Sequence, residues 1–390
     1  MALSHSPKVV TDGLVFYYDQ GNIQKSWKGA PATNLFTETN LNNWSKNATV
    51  STTRFITPFD TPSYIITDDD TANWESISRS ITVANDSSSH TISLMVRKTR
   101  GGTSARLGFN VSYSGGTAVY INSRFNSDTG VATDGLVVDY GDWWYWYFSI
   151  TNNSTGNTSL NYSFYPATGV HNGSDNSTAT GTAIVGAFML VAGSVAARFA
   201  SGTRSNTQAI QDLTRRNTVT ATSLAYASNN TFSFNGTSSE ITTSSTATSL
   251  GISNDVTISI FTKRAASPTN ALQGQAGFGS GGSISIKNSG NYVADVFSAN
   301  STRYVINITT AGSMTSYENV WVNLCVTVNG TIAKTYLNGA LISTQAMDTT
   351  IKAFTSEIFG LGAGYGYYRM QGDLSIASVH NRALTDNEVL

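Results

Sequence analysis

Alternation with a period of two runs through most of the chain. In the first half it marks SYIITDD (63–69), SISRSITV (76–83), HTISLMVRK (90–98), ARLGFNVSYS (105–114), TAVYINSRF (117–125), WYWYFSIT (144–151) and SLNYSFYP (159–166). An apolar window from Ala183 to Val195 follows. Alternation of this kind puts apolar side chains on one strand face and polar ones on the other. Short strands broken by turn residues predict a sandwich or jelly roll. The second half repeats the style in NTFSFNG, SEITTSS, DVTISIFTKR, GSISIKN, YVADVFS, RYVINIT, VWVNLCVTVNG, IAKTYLNGALIST and DLSIASVHNRAL. Thr385 followed three residues later by Glu388 is the one helix start the pattern predicts. The fold class expected is all-β, with two β-sandwich or jelly-roll domains.

The densest stretch is GDWWYWYFSIT, Gly141–Thr151. As a strand it divides cleanly. Trp144, Trp146, Phe148 and Ile150 share one wholly apolar face, expected to be core. Trp143, Tyr145, Tyr147 and Ser149 share the other, which is aromatic but carries polar tips. Rings of that kind meet a sugar face or a protein interface equally well, and they also fill cores. Three readings stay open for Trp143, Tyr145 and Tyr147: a glycan platform, a subunit contact, or structure alone. Trp74 in TANWESIS and Trp44 in LNNWSKN are further candidate rings. So are Tyr365, Tyr367 and Tyr368 in GLGAGYGYYRM, where glycines predict an exposed loop.

Composition strengthens the all-β expectation. Charged residues make up 12% of the 390 and aromatics 11%, with 34 glycines against 6 prolines, and Ser, Thr and Asn carry most of the polarity. The length predicts more than one domain. A formal net charge of −1 gives no reason to expect nucleic acid or an anionic membrane as partner. The single cysteine, Cys325, rules out an internal disulfide framework and sits in a strand pattern as a buried thiol. MALSHSPKVVTDG has no apolar run, so no secretory signal is expected and synthesis would end in the cytoplasm. The Ala183–Val195 window is shorter than the about 18–20 residues a bilayer crossing needs. It predicts a buried strand or two and no membrane insertion.

Catalytic chemistry is not visible. Retaining glycoside hydrolysis needs two carboxyl groups about 5–5.5 Å apart, and no strand supplies a pair. In the second half, Glu240, Glu318, Glu357 and Glu388 stand apart. Asp68-Asp69-Asp70 offers oxygen ligands that would suit Ca²⁺, but the run also fits a solvated turn. The histidines, His5, His90, His171 and His380, lack ligand spacing. No metal, no cofactor and no catalytic residue is expected.

Four pieces of the second half, in order, resemble the concanavalin A-like, laminin-G-like sandwich. They are Phe232–Thr237 (FSFNGT), Asp255–Ile260 (DVTISI), Trp321–Val328 with Lys334–Gly339 (WVNLCVTV, KTYLNG), and Gly372–Val389. Ser6–Asp19 is similar to the opening strand of the same domain in bacteriophage structural proteins. Its usual sequel is matched only by Gln211–Asn217, about 190 residues on. The resemblance therefore implies residues 1–30 as a first strand, 31–204 as an insertion, and 205–390 as the sandwich that strand completes. Three sequential units with a free N-terminal arm are the competing arrangement. The 31–204 region is similar to jelly-roll carbohydrate-binding modules of phage tail and head-decorating proteins. Asn235 stands where members that bind calcium usually have Asp, which argues against Ca²⁺.

The resemblance implies a non-enzymatic virion protein, homo-oligomeric, on the particle surface as head decoration, fibre or tail adhesin. Its partners would be other virion proteins and a host-surface glycan. A purely structural cement protein and an enzyme degrading surface polysaccharide are the alternatives.

Overall fold

The computed structural model describes residues 9–389 apart from 23–24, 37–40, 100–105, 170–174, 228–230, 267–271, 279–283, 355–356 and 365–367. Strands account for nearly all regular structure, with two 3-10 turns and no α-helix among the described residues. The chain forms two compact units. One comprises Met1–Gly29, Ser205–Tyr226 and Thr231–Leu390; the other comprises Ala30–Arg204, with Ala227–Asn230 grouped with it.

The Ala30–Arg204 unit has a six-stranded and a five-stranded antiparallel sheet. The larger runs Leu136–Tyr140, Trp143–Thr151, Ser89–Arg97, Gly181–Ala192, Pro62–Asp68, Thr49–Ile56. The smaller runs Ser45–Lys46, Ile77–Thr82, Ser159–Tyr165, Leu107–Ser114, Val119–Phe125. The apolar window is one strand, Gly181–Ala192, inside the larger sheet. Its run is continuous because both faces are covered: Val185 and Leu190 join the main core, and Ala187 joins a second cluster on the opposite face. Gly186 is required there, since a Cβ would lie 2.7 Å from the Pro62 carbonyl oxygen. No helix among the described residues is long and apolar enough to cross a membrane.

The other unit pairs an eight-stranded with a seven-stranded sheet. Gln371–His380 lies between Thr231–Asn235 and Val256–Arg264, and the Leu14–Asp19 strand also pairs with it, placing Tyr18 opposite Ala377. Asp212 anchors that first strand, accepting the Tyr17 backbone N–H at 3.0 Å across 195 residues of sequence. The core between the sheets includes Phe16, Tyr18, Trp27, Phe232, Phe234 and Phe359. Cys325 is fully buried, and desolvation pushes its thiol up.

Several strands escape the alternation rule, among them four longer ones. Thr49–Ile56 (TVSTTRFI) and Leu136–Tyr140 (LVVDY) are the outer strands of the six-stranded sheet; the first is dominated by Ser and Thr, and the second is only five residues long. Leu272–Phe278 and Ile358–Leu361 are neighbours inside the seven-stranded sheet but are interrupted by glycine. Gly277 is there because a Cβ would sit 2.6 Å from the Ser285 Cβ.

The helix expected from Thr385 does not form. Residues 386–388 make a single turn, in which the Glu388 carboxylate accepts from the Thr385 backbone N–H (2.9 Å) and hydroxyl (3.0 Å). Only the Glu388 half of the cap is present, because the Glu388 backbone N–H goes to the Thr385 carbonyl at 2.9 Å and not to the Thr385 hydroxyl. The Arg382 guanidinium, 2.6 Å from Glu388, is the main reason this carboxyl is held at about 2 instead of 4.5. A depressed acid contributes stability above its unfolded value and loses it as pH falls through its folded one. Amide protection at Glu388 and Val389 should hold down to about pH 4.5 and decay towards pH 2; flat protection across that window would contradict it.

Candidate functional site

The Trp143–Thr151 strand is flanked by Leu136–Tyr140 and Ser89–Arg97. Trp146 lies in the main core, stacked on Phe125 at 4.8 Å and 18°. The opposite face favours structure alone among the three open readings. Trp143, Tyr145 and Tyr147 are only 6%, 2% and 7% exposed. Phe59, Met95, Ala187 and Ala196 form a second apolar cluster with them. The Tyr145 hydroxyl donates to the Ala197 carbonyl at 2.9 Å, and burial raises its pKa strongly. A ring whose polar tip is already bonded inside a core offers nothing to a sugar. The segments around Phe59 and Ala196 cover this face, and period two alone does not reveal such a cover.

Trp44 is also core. Tyr365 and Tyr367 lie outside the described residues, as does the Tyr368 side chain. Trp74 is the candidate that stays exposed, at 37%. Its indole N–H donates to the Asn176 carbonyl at 2.7 Å, and its ring meets Tyr165 edge-on at 6.1 Å and 69°.

Tyr165 ends a strand of the five-stranded sheet, and the outer face of that sheet is the feature alternation should have disclosed. Ser80, Asn161, Ser112 and Tyr120 form one row across it; Ser78, Ser163, Asn110 and Asn122 form the next. Tyr165 and Arg124 fall in the row beyond, where Arg124 and Arg106 are ion-paired to Asp175 at 2.7 and 3.1 Å. Asn161 is tied to Ser80 (2.5 Å) and Ser114 (2.7 Å). The side chains of Asn110, Asn122, Ser112 and Ser163 make no hydrogen bond among the described residues. Tyr120 is 67% exposed beside them. The signal was the polar half of FNVSYS, YINSRF and LNYSFY, where no site residue was expected.

Groups that could bind metal or do catalysis are engaged otherwise. The Asp68 carboxylate accepts the Glu75 N–H at 3.0 Å, Asp70 accepts the Ala72 N–H at 2.7 Å, and Glu75 accepts the Asp69 N–H at 2.9 Å. The acidic run thus folds its own turn. Asn235 does likewise, its carbonyl oxygen taking the backbone N–H groups of Thr237, Ser238 and Ser239. No group of three potential metal ligands occurs among the described residues. Glu240, Glu318 and Glu388 are ion-paired to Arg369, Arg264 and Arg382. Lys334 and Asp386, paired at 2.7 Å, line an open groove of about 640 Å³ between the back of the eight-stranded sheet and residues 383–387.

Two opposed antiparallel sheets with the N-terminal strand laid against the last one form the frame of the second unit, and residues 234–390 match the sequence model of the concanavalin A-like lectin/glucanases superfamily, laminin-G type. The fold of this unit is concanavalin A-like. No curated protein matches the chain. Among solved structures, the chain is similar to the receptor-binding domain of botulinum neurotoxin C/D mosaic serotype. Identity is 16% over 47% of this chain and 48% of that one, with a TM-score of 0.36. The serotype D ligand-binding domain in complex with N-acetylneuraminic acid gives 16% identity, 48% of both chains and 0.35. The neurotoxin DC binding domain in complex with rat synaptotagmin II gives 15%, 47% and 48%, and 0.36. The chain spans about half the length of these structures. The concanavalin A-like unit and the Ala30–Arg204 unit each present an outward sheet face on which a ligand could be held.

Proposed function

We propose that the protein is a non-enzymatic, glycan-contacting adhesion or decoration protein of a bacteriophage particle, homo-oligomeric and displayed on the virion surface. Residues 31–204 would be an insertion into the concanavalin A-like unit. The observation that carries the glycan reading is the outer face of the five-stranded sheet. Asn110, Asn122, Ser112 and Ser163 leave their hydrogen-bonding capacity to solvent there, beside the exposed Tyr120 ring. Sugar hydroxyls pair with amides and hydroxyls of this kind, while rings supply the apolar contact. The lectin-like fold is consistent with this but does not by itself assign it. Carboxylates held in ion pairs favour binding over hydrolysis. The particle assignment rests on the similarity of Ser6–Asp19 and Gln211–Asn217 to phage structural proteins. A single flat site of this kind binds weakly, and repetition on a particle would make it useful.

The test is an array of bacterial surface polysaccharides probed with the full chain immobilised on beads at high density. At least one polysaccharide should be retained. The Asn110→Ala/Asn122→Ala variant should bind it about tenfold less, the loss of one to two hydrogen bonds. Retention of none, or an unchanged double variant, overturns the site.

A further inference from the structure

We propose that the outward face of the eight-stranded sheet carries a separate carbohydrate subsite, centred on Trp321 and Phe261, that seats the apolar face of a neutral hexopyranose. It lies in the concanavalin A-like unit and stands independently of the face described above.

Register places the components side by side. Phe261 lies between Ile376 and Asn323, and Lys263 lies between Asp373 and Trp321. The two rings stack nearly parallel, with centroids 5.1 Å apart at 22°. Trp321 and Ile376 both remain 37% exposed. The Lys263 ammonium sits 5.3 Å from the Trp321 ring and is ion-paired to Asp373 at 2.7 Å. A cation over the indole helps fix its orientation, so the platform is held ready before any ligand arrives.

Amides stand next to the rings. The backbone N–H of Asn323 donates to the Asn338 side-chain oxygen at 2.9 Å, and that of Asn338 returns a bond to the Asn323 carbonyl at 2.9 Å. This exchange holds Asn338 in place and leaves its side-chain NH₂ to solvent. The Asn323 side-chain NH₂ reaches Ser259 at 3.4 Å, which turns its carbonyl oxygen outward as an acceptor.

The occupant follows from size and charge. The partly exposed Trp321, Phe261 and Ile376 present roughly 200 Å² of apolar surface, against about 800 Å² per partner for a stable protein interface. That is too little for a second copy, but it suits one pyranose ring. Local charges are already paired, so an acidic or basic ligand finds no counter-ion. A ring with a continuous C–H face and equatorial or axial hydroxyls at its edge satisfies both the indole and the amides.

The experiment is native affinity electrophoresis of the full chain through gels containing β-1,4-galactan, laminarin or mannan, with dextran sulfate as the charged comparison. At least one neutral polymer should retard the parent. Trp321→Ala should lose the retardation at least tenfold, and Trp321→Phe should keep part of it. The Asn110→Ala/Asn122→Ala variant should retain the Trp321-dependent component, which separates this site from the other. Near-UV circular dichroism confirms that each variant is folded. No retardation by any neutral polymer, or retardation unchanged in Trp321→Ala, overturns the subsite. A concentration-dependent dimer that Trp321→Ala abolishes, without sugar binding, overturns it in favour of self-association.

Discussion

Replacing Trp146 by alanine is expected to destabilise the Ala30–Arg204 unit by about 3–5 kcal/mol, the range for emptying a large, fully buried aromatic site. The indole is 0% exposed, stacked on Phe125 and tilted against Phe109 at 4.8 Å, with its N–H donating to the Asp134 carbonyl at 3.1 Å. Alanine removes the ring contacts and leaves that carbonyl without its donor. Neighbouring rings are themselves packed on several sides, so the space collapses only in part. Denaturant unfolding monitored by near-UV circular dichroism should show the transition of this unit moving to lower denaturant. A shift below 1 kcal/mol would mean that the ring is not the keystone its contacts imply. Tyr145→Ala extends the argument to the opposite face: it should also cost stability, because that ring is packed and bonded, where a sugar platform would have been nearly neutral.

Asp212→Ala should have a comparable effect on the concanavalin A-like unit, about 3 kcal/mol or more. One carboxylate oxygen accepts the backbone N–H groups of Tyr17 (3.0 Å) and Thr214 (2.9 Å). The other accepts from the Asn217 backbone (3.1 Å), the Asn217 side chain (2.7 Å) and the Thr214 hydroxyl (2.7 Å). Asp212 is 4% exposed, so its removal strands donors away from water, each costing about 1–3 kcal/mol before relaxation. Asn is no remedy, since its NH₂ would face donors at one of the two oxygens. Hydrogen exchange should report the loss first in the Leu14–Asp19 strand, with the Gln371–His380 strand less affected. It remains paired to Val256–Arg264 on its other side. Uniform loss of protection across the unit would show that the first strand does not open on its own.

The two predictions mark where sequence and structure part. Period-two alternation sufficed for the all-β class and for most strands, because a half-buried strand must alternate whatever its surroundings. It also placed Trp146 and Phe148 in the core. It could not say what lay above Trp143, Tyr145 and Tyr147. An apolar face with polar tips looks the same under a covering loop as under water, and the cover comes from Phe59 and Ala196, distant in sequence. The same blindness worked the other way at Trp321, which alternation placed on an ordinary strand, and at Asn110 and Asn122, where no site residue was expected. Exposure there depends on which strands lie alongside.

The sequence by itself determined the β class, the concanavalin A-like character of the 205–390 region, the buried Cys325 and the absence of any carboxylate pair on a predicted strand. These are local properties: composition, spacing and short motifs carry them. Which segments share a unit, which aromatic rings are sealed and which polar side chains are left uncommitted were decided only by tertiary structure. Each depends on pairings between residues as far apart as Tyr17 and Asp212, and contacts at that distance leave no periodic trace in the chain.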